Sequence, residues 1–178
     1  MSTRSPSPPT VLPPPEDPPD SGPESEVTGT CSLTAALDGM QACLERAVGA
    51  ARPPSPQWEG VRRAFGDLAD AARTHLLKED VMFFPALRHL AAGRSAQVPL
   101  GLHLQGPVEL LRGEHAALLG SLDDVLALLE DGGLDPSPAE RQDLQTHAAA
   151  LGRALRDHIQ VQEGTLFPRV LAGAGAAP

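Results

Sequence analysis

His75 and Glu79 stand four residues apart, and His158 with Gln162 repeats that spacing later in the chain. A Phe-Pro step closes each stretch, Phe84-Pro85 and Phe167-Pro168, so both histidines lie ten positions before a proline. On an α-helix, residues four apart sit about 40° apart around the axis and about 6 Å apart along it. His75 and Glu79 therefore share one face and could hold one metal ion. A third histidine, His115, follows Glu114. Imidazole and carboxylate bind first-row metals at about 2.0 to 2.2 Å. Three histidines with one glutamate suit non-haem iron, with zinc or manganese chemically acceptable. Nucleophilic hydrolysis lacks its parts: no Ser or Cys sits in an elbow or beside one of these histidines with a third orienting group, and glycine-rich phosphate loops are missing.

These side chains matter only if the elements carrying them converge. Residues 1–30 hold nine of the nineteen prolines, with Ser, Asp and Glu between them and almost nothing apolar. Such a segment cannot offset its own ordering entropy and is expected to be a disordered tail. From Cys31 onward the pattern is helical. Leu33, Leu37, Met40, Leu44 and Ala47 recur in steps of four and three over about 32–50, drawing one apolar stripe. Ser55-Pro56 opens a second helix over about 56–90, whose stripe runs from Trp58 through Phe65 and Ala72 to His75, Glu79 and Met82. Pro85 is expected to bend or end it, and a loop over 93–106 contains His103. A third helix over about 107–131 places His115 on a stripe with Leu111, Leu118 and Leu122, and stops at Gly132-Gly133. The fourth, about 137–172, opens at Ser137-Pro138 and places His147, His158, Gln162 and Thr165 on its stripe. Strand signals are absent, with no Tyr, 3% aromatics and no period-two alternation.

Four amphipathic helices with short connections predict an all-α, up-down-up-down four-helix bundle over 31–172, followed by a flexible C-terminus at 173–178. In that arrangement the C-terminal halves of helices two and four lie beside the N-terminal halves of helices one and three. His75, Glu79, His115, His158 and Gln162 then converge at one end of the core. His147, eleven residues before His158, falls roughly 16 Å down the axis and does not belong to the group. A glutamate on an apolar seam needs a partner, which is a second reason to expect an ion there.

The net charge of −9 is spread along the chain without a basic stripe, which argues against nucleic acid. No apolar run approaches 18 residues and no charged leader precedes one, so neither a membrane span nor a secretory signal is expected, and the expected address is the cytoplasm. Cys31 and Cys43, within or beside one helix, read as reduced thiols.

The residues His75 to Pro85, Glu114-His115 and His158 to Arg169 resemble the hemerythrin-like, or histidine-histidine-glutamate cation-binding, family, including its iron-sulfur cluster repair branch. The likeness spans about residues 31–172. It implies a four-helix bundle around a di-iron centre, with His75, Glu79, His115 and His158 at ligand positions. It implies binding or sensing of a small oxidant (dioxygen, nitric oxide or peroxide) or iron handling, rather than catalytic turnover. Two departures from the family pattern stand out. Gln162 occupies the place of a second bridging glutamate, and the first helix offers Leu33, Ala36 and Leu37 where the family has a histidine. Glu163 points away from the seam in a regular helix and turns toward it only if a π-bulge widens the turn; His103 and His89 lie toward the same end. The expected site is therefore a reduced one, better suited to one metal ion than to two. A degenerate, metal-free bundle serving as an interaction module is the alternative.

Overall fold

The protein is described by a computed structural model covering residues 23–51, 56–91, 104–131 and 133–174. Its helices are α1 (Pro23–Ala50), α2 (Pro56–Lys78), α3 (Phe84–Ala91), α4 (Gln105–Glu130), α5 (Pro138–Val161) and α6 (Phe167–Ala174). A π turn at Glu79–Phe83 joins α2 to α3, and another at Gln162–Leu166 joins α5 to α6, so four continuous rods form the bundle. Each rod packs on two neighbours: α1 on α5 and α2, and α4 on α2 and, less closely, α5. Contacts between Arg73 and Asp38, and between Arg46 and Asp143, are those of antiparallel neighbours.

The apolar stripes form the core. Leu33, Leu37, Met40 and Leu44 of α1 are essentially sealed from solvent against Trp58, Phe65 and Leu68 of α2, Leu118 and Leu122 of α4, and Leu151 and Leu155 of α5. Each such side chain contributes roughly 1.5–3 kcal/mol on burial. Ser137 caps α5 reciprocally: its hydroxyl accepts from Glu140 N–H, and its own N–H donates to the Glu140 carboxylate at 2.8 Å. Among the described residues, no helix is long and apolar enough to cross a membrane.

Two expectations need correction. The first helix starts at Pro23, not near residue 32. Pro23 has the fixed φ that suits a first helical position. The rest of the expected tail, residues 1–22, lies outside the described residues, as do 175–178.

Pro85 does not end its helix. In a regular α-helix its ring would strike the carbonyl of residue 81 and leave it without a donor. Instead the turn before it widens, with Phe84 N–H donating to the Glu79 carbonyl. Pro168 is treated in the same way, with Phe167 N–H donating to the Gln162 carbonyl. The extra residue rotates everything after it. Met82, expected on the seam, is 51% exposed, and Phe83 is buried in its place. Thr165 likewise yields the core position to Leu166.

Candidate metal centre

The two π turns begin at the fourth residue after each histidine, Glu79 and Gln162, so the i, i+4 pairs themselves remain on regular helix. His75 and Glu79 come from the second rod, His115 from α4 and His158 from the fourth rod. All four side chains are buried, with Glu79 at 0% exposure, and one ligand atom from each falls in a group spanning no more than 4.8 Å. Within that group His75 Nε2 lies 2.8 Å from Glu79 Oε1, His115 Nε2 lies 3.1 Å from His75 Nε2, and His158 Nε2 lies 3.4 Å from Glu79 Oε1.

Those spacings resemble the edges of a coordination shell. With bonds of about 2.1 Å, donors at right angles stand about 3.0 Å apart, tetrahedral donors about 3.4 Å and opposed donors about 4.2 Å. The three measured contacts fit the first two cases. The outer limit of the group exceeds the third by about half an ångström, a closure within reach of side-chain adjustment.

Two carboxylates outside the cluster fix the rings. Glu114 Oε2 accepts from His75 Nδ1 at 2.9 Å, and Glu163 Oε1 accepts from His115 Nδ1 at 2.8 Å. A carboxylate can only accept, so both Nδ1 atoms carry their protons, and in the neutral rings both Nε2 atoms turn lone pairs inward. Two lone pairs 3.1 Å apart repel unless a cation, either a proton or a metal ion, lies between or beside them. Lys78 Nζ makes a close ion pair with the other oxygen of Glu114, extending the chain to Lys78–Glu114–His75. Orientation of a ligating imidazole by an outer carboxylate is the usual supporting arrangement at metal sites.

Polar satisfaction points the same way. Both Glu79 oxygens, His158 Nε2 and Gln162 Oε1 are buried without a hydrogen-bond partner. His75 approaches Glu79 closely, but off the line that a ring N–H would need. Each such orphan costs about 1–3 kcal/mol, and a set of them around three imidazoles is the donor pattern of a cation site.

Burial would raise the Glu79 carboxyl, yet His158 and His75 overcome it and hold the group down at about 2. His75 is raised: burial opposes its charge, but Glu79 and Glu114 outweigh that. Burial lowers His115, joined by the charges of His75 and His158, against a pull upward from Glu163. Glu114 is lowered, burial being outweighed by Lys78 and His75. Without a metal the cluster thus favours a carboxylate beside a protonated His75.

Aromatic rings wall this end from water. Phe167 stacks on His115 with planes 6° apart and centroids 5.7 Å apart, and it meets Phe83 edge-on at 5.2 Å. They belong to a second apolar cluster with Val108, Leu111, Leu166 and Val170.

The structure brings together His75, Glu79, His115 and His158. Gln162 is buried but offers an uncharged amide, and Glu163 serves His115 from outside instead of entering the group. His103 lies outside the described residues, as does the side chain of His89. His147 packs on Gly39 of α1, away from the cluster. Sequence reasoning missed the roles of Glu114 and Lys78. Glu114 was visible only as the neighbour of His115, whereas its partner, His75, lies across the helix interface.

A family profile described as "Hemerythrin HHE cation binding domain" matches residues 32–170. Neither the curated proteins nor the solved structures include a match to the chain.

Proposed function

The chain belongs to the hemerythrin HHE cation-binding domain family, and from that membership we propose that it holds one metal ion on His75, Glu79, His115 and His158. The observation that carries this reading is the convergence of three imidazole nitrogens and one orphaned carboxylate within 4.8 Å, two of the imidazoles being oriented by carboxylates from outside. Three neutral nitrogens and one carboxylate oxygen suit iron(II), with zinc or manganese as the chemical alternatives. Iron held there would supply redox chemistry toward a small oxidant: dioxygen, nitric oxide or peroxide.

The chain's own residues do the rest. His75, His115 and His158 present Nε2 lone pairs, and Glu79 supplies the one negative charge in direct reach. Glu114 and Glu163 hold the Nδ1 protons and so the ring orientations, while Phe83 and Phe167 exclude water. The function we propose is binding or sensing of such an oxidant in the cytoplasm, with Glu114 and Glu163 engaged in holding His75 and His115.

The competing reading, a metal-free bundle acting as an interaction module, draws on Gln162 at the second carboxylate position and on the apolar face of α1. Anaerobic loading with iron(II), followed by exposure to dioxygen, nitric oxide and peroxide in turn, separates the two. The metal reading expects an absorption change with at least one oxidant that disappears in His115→Ala. Indifference to all three would overturn the sensing role.

A further inference from the structure

Between the C-terminal part of α4 and a stretch of α5 that runs from Arg141 to Arg156, two residues short of His158, the two helices do not close on each other. A cleft of about 440 Å³ opens between them, floored by Leu129 of α4, Leu134 of the connection and Leu144 of α5. That volume lies within the roughly 300–1,000 Å³ typical of small-molecule sites. Its α5 wall is low, being built from Ala148, Ala149 and Gly152, and an arginine stands at either end, Arg141 and Arg156. Fifteen residues of helix place them about 22 Å apart along the axis, so the cleft is elongated.

The arginines make it more than a packing gap. Unlike Arg46, Arg62 and Arg73, neither Arg141 nor Arg156 has a carboxylate partner among the described residues. Arg156 folds back, its Nη1 donating to the Gly152 carbonyl at 3.2 Å. A Cβ at position 152 would stand 2.9 Å from that nitrogen, so glycine is what lets the guanidinium lie against the helix beside the opening. The one acid lining the cleft, Glu130, ends α4, and the connection from α4 into α5 returns it to the Arg141 end. The Arg156 end is left positive, in a chain whose net charge is −9.

We infer that this cleft binds a linear acyl carboxylate of the free fatty acid class. The chain lies along Leu144, Leu134 and Leu129, and the carboxylate meets the Arg156 guanidinium. Two features fix the ligand class: an apolar floor of extended shape, and a guanidinium fork without a carboxylate partner among the described residues, at the end without an acid. The site is independent of the metal reading, because it shares no side chain with the histidine cluster.

Isothermal titration of the full chain, after chelator treatment and again after iron loading, with dodecanoate, dodecanol and dodecylammonium tests this directly. The expected result is saturable dodecanoate binding in both states, with dodecanol weaker by about tenfold or more, the value of one hydrogen bond to a charged group. Arg156→Glu, at an exposed position, should weaken dodecanoate by a similar factor with an unchanged melting temperature. Ala148→Leu, which fills the cleft, should weaken dodecanoate and dodecanol alike. Vesicles of mixed neutral and anionic phospholipid should leave the protein in solution. Absence of saturable dodecanoate binding, equal binding of dodecanol, undiminished binding in Arg156→Glu, or vesicle binding not displaced by dodecanoate would each overturn the inference.

Discussion

Replacing His75 and Glu79 together by leucine has opposite consequences with and without metal. Both side chains are buried, at 1% and 0% exposure, and they touch at 2.8 Å without completing a hydrogen bond. In the metal-free protein, exchanging such a pair for well-packed apolar groups is neutral or stabilising by about 1–4 kcal/mol. Of the partners left behind, Glu114 keeps Lys78 and His115 keeps Glu163, while His158 Nε2, already without a hydrogen bond, loses only its 3.4 Å approach to Glu79. With metal the balance reverses. An ion present at one hundred times its dissociation constant adds about 2.7 kcal/mol to the native state. For a domain of this size each kcal/mol moves the melting temperature by about 2–4 °C, so loading should raise the wild-type value by roughly 5–11 °C. The double variant should melt at or above the wild type in chelator and gain nothing from iron(II), zinc or manganese. Thermal unfolding followed by circular dichroism reads both effects. An equal ion-dependent rise in the variant would refute the assignment of these two donors. A chelator-treated variant less stable than its wild-type counterpart by several kcal/mol would refute the view that the cluster is held together at a cost to the metal-free fold.

Glu163→Gln and Glu114→Gln each leave the four donors in place but loosen one imidazole, and each should weaken metal affinity by about 10–100-fold, measured by competition with a chelator of known strength. Gln162→Glu alone should leave the metal ratio unchanged, because Leu33 and Leu37 of α1 offer no ligand; adding Leu33→His should move the ratio toward two, read by elemental analysis. Glu79, held at about 2 against an ordinary 4.5, contributes stability to the metal-free fold that is whole above about pH 4.5 and lost as the pH falls toward 2. Denaturant midpoints should therefore be lower at pH 3 than at pH 5, and equal midpoints would contradict the charged state of Glu79. Metal binding must displace the proton favoured on His75, whose titration Glu79 and Glu114 push above the ordinary imidazole range, so apparent affinity should keep rising with pH above 6.5.

The four clustered side chains were legible in the sequence because each occupies a seam position that spacing alone assigns: His115 between Leu111 and Leu118, and His75 and Glu79 in line with Phe65 and Ala72. A polar residue on such a seam announces itself. Glu163 was legible only as a conditional case, since at 100° per residue it faces away from the seam. The condition was written in the chain, in the prolines at 85 and 168, whose rings a regular helix cannot accept behind an uninterrupted turn. Carried through as regular helix, the stripes around them kept Met82 and Thr165 on the seam, where the π turns place Phe83 and Leu166. Glu114 and Lys78 stayed hidden for a different reason. Their partners lie on another rod, and the register between rods is a property of packing that no single helix pattern contains. The early start of α1 at Pro23 was masked by the proline-rich composition around it.

The single-ion reading rests on Gln162, an uncharged amide beside the cluster, and on α1, which brings Leu33 and Leu37 to the core and no histidine. Metal-to-protein ratio and absorption spectrum, taken together on protein reconstituted with iron under anaerobic and then aerobic conditions, test it most directly. A single-ion site gives a ratio near one and no oxo-bridged iron bands. A ratio near two with those bands, or no iron, zinc or manganese retained under any condition, would contradict it.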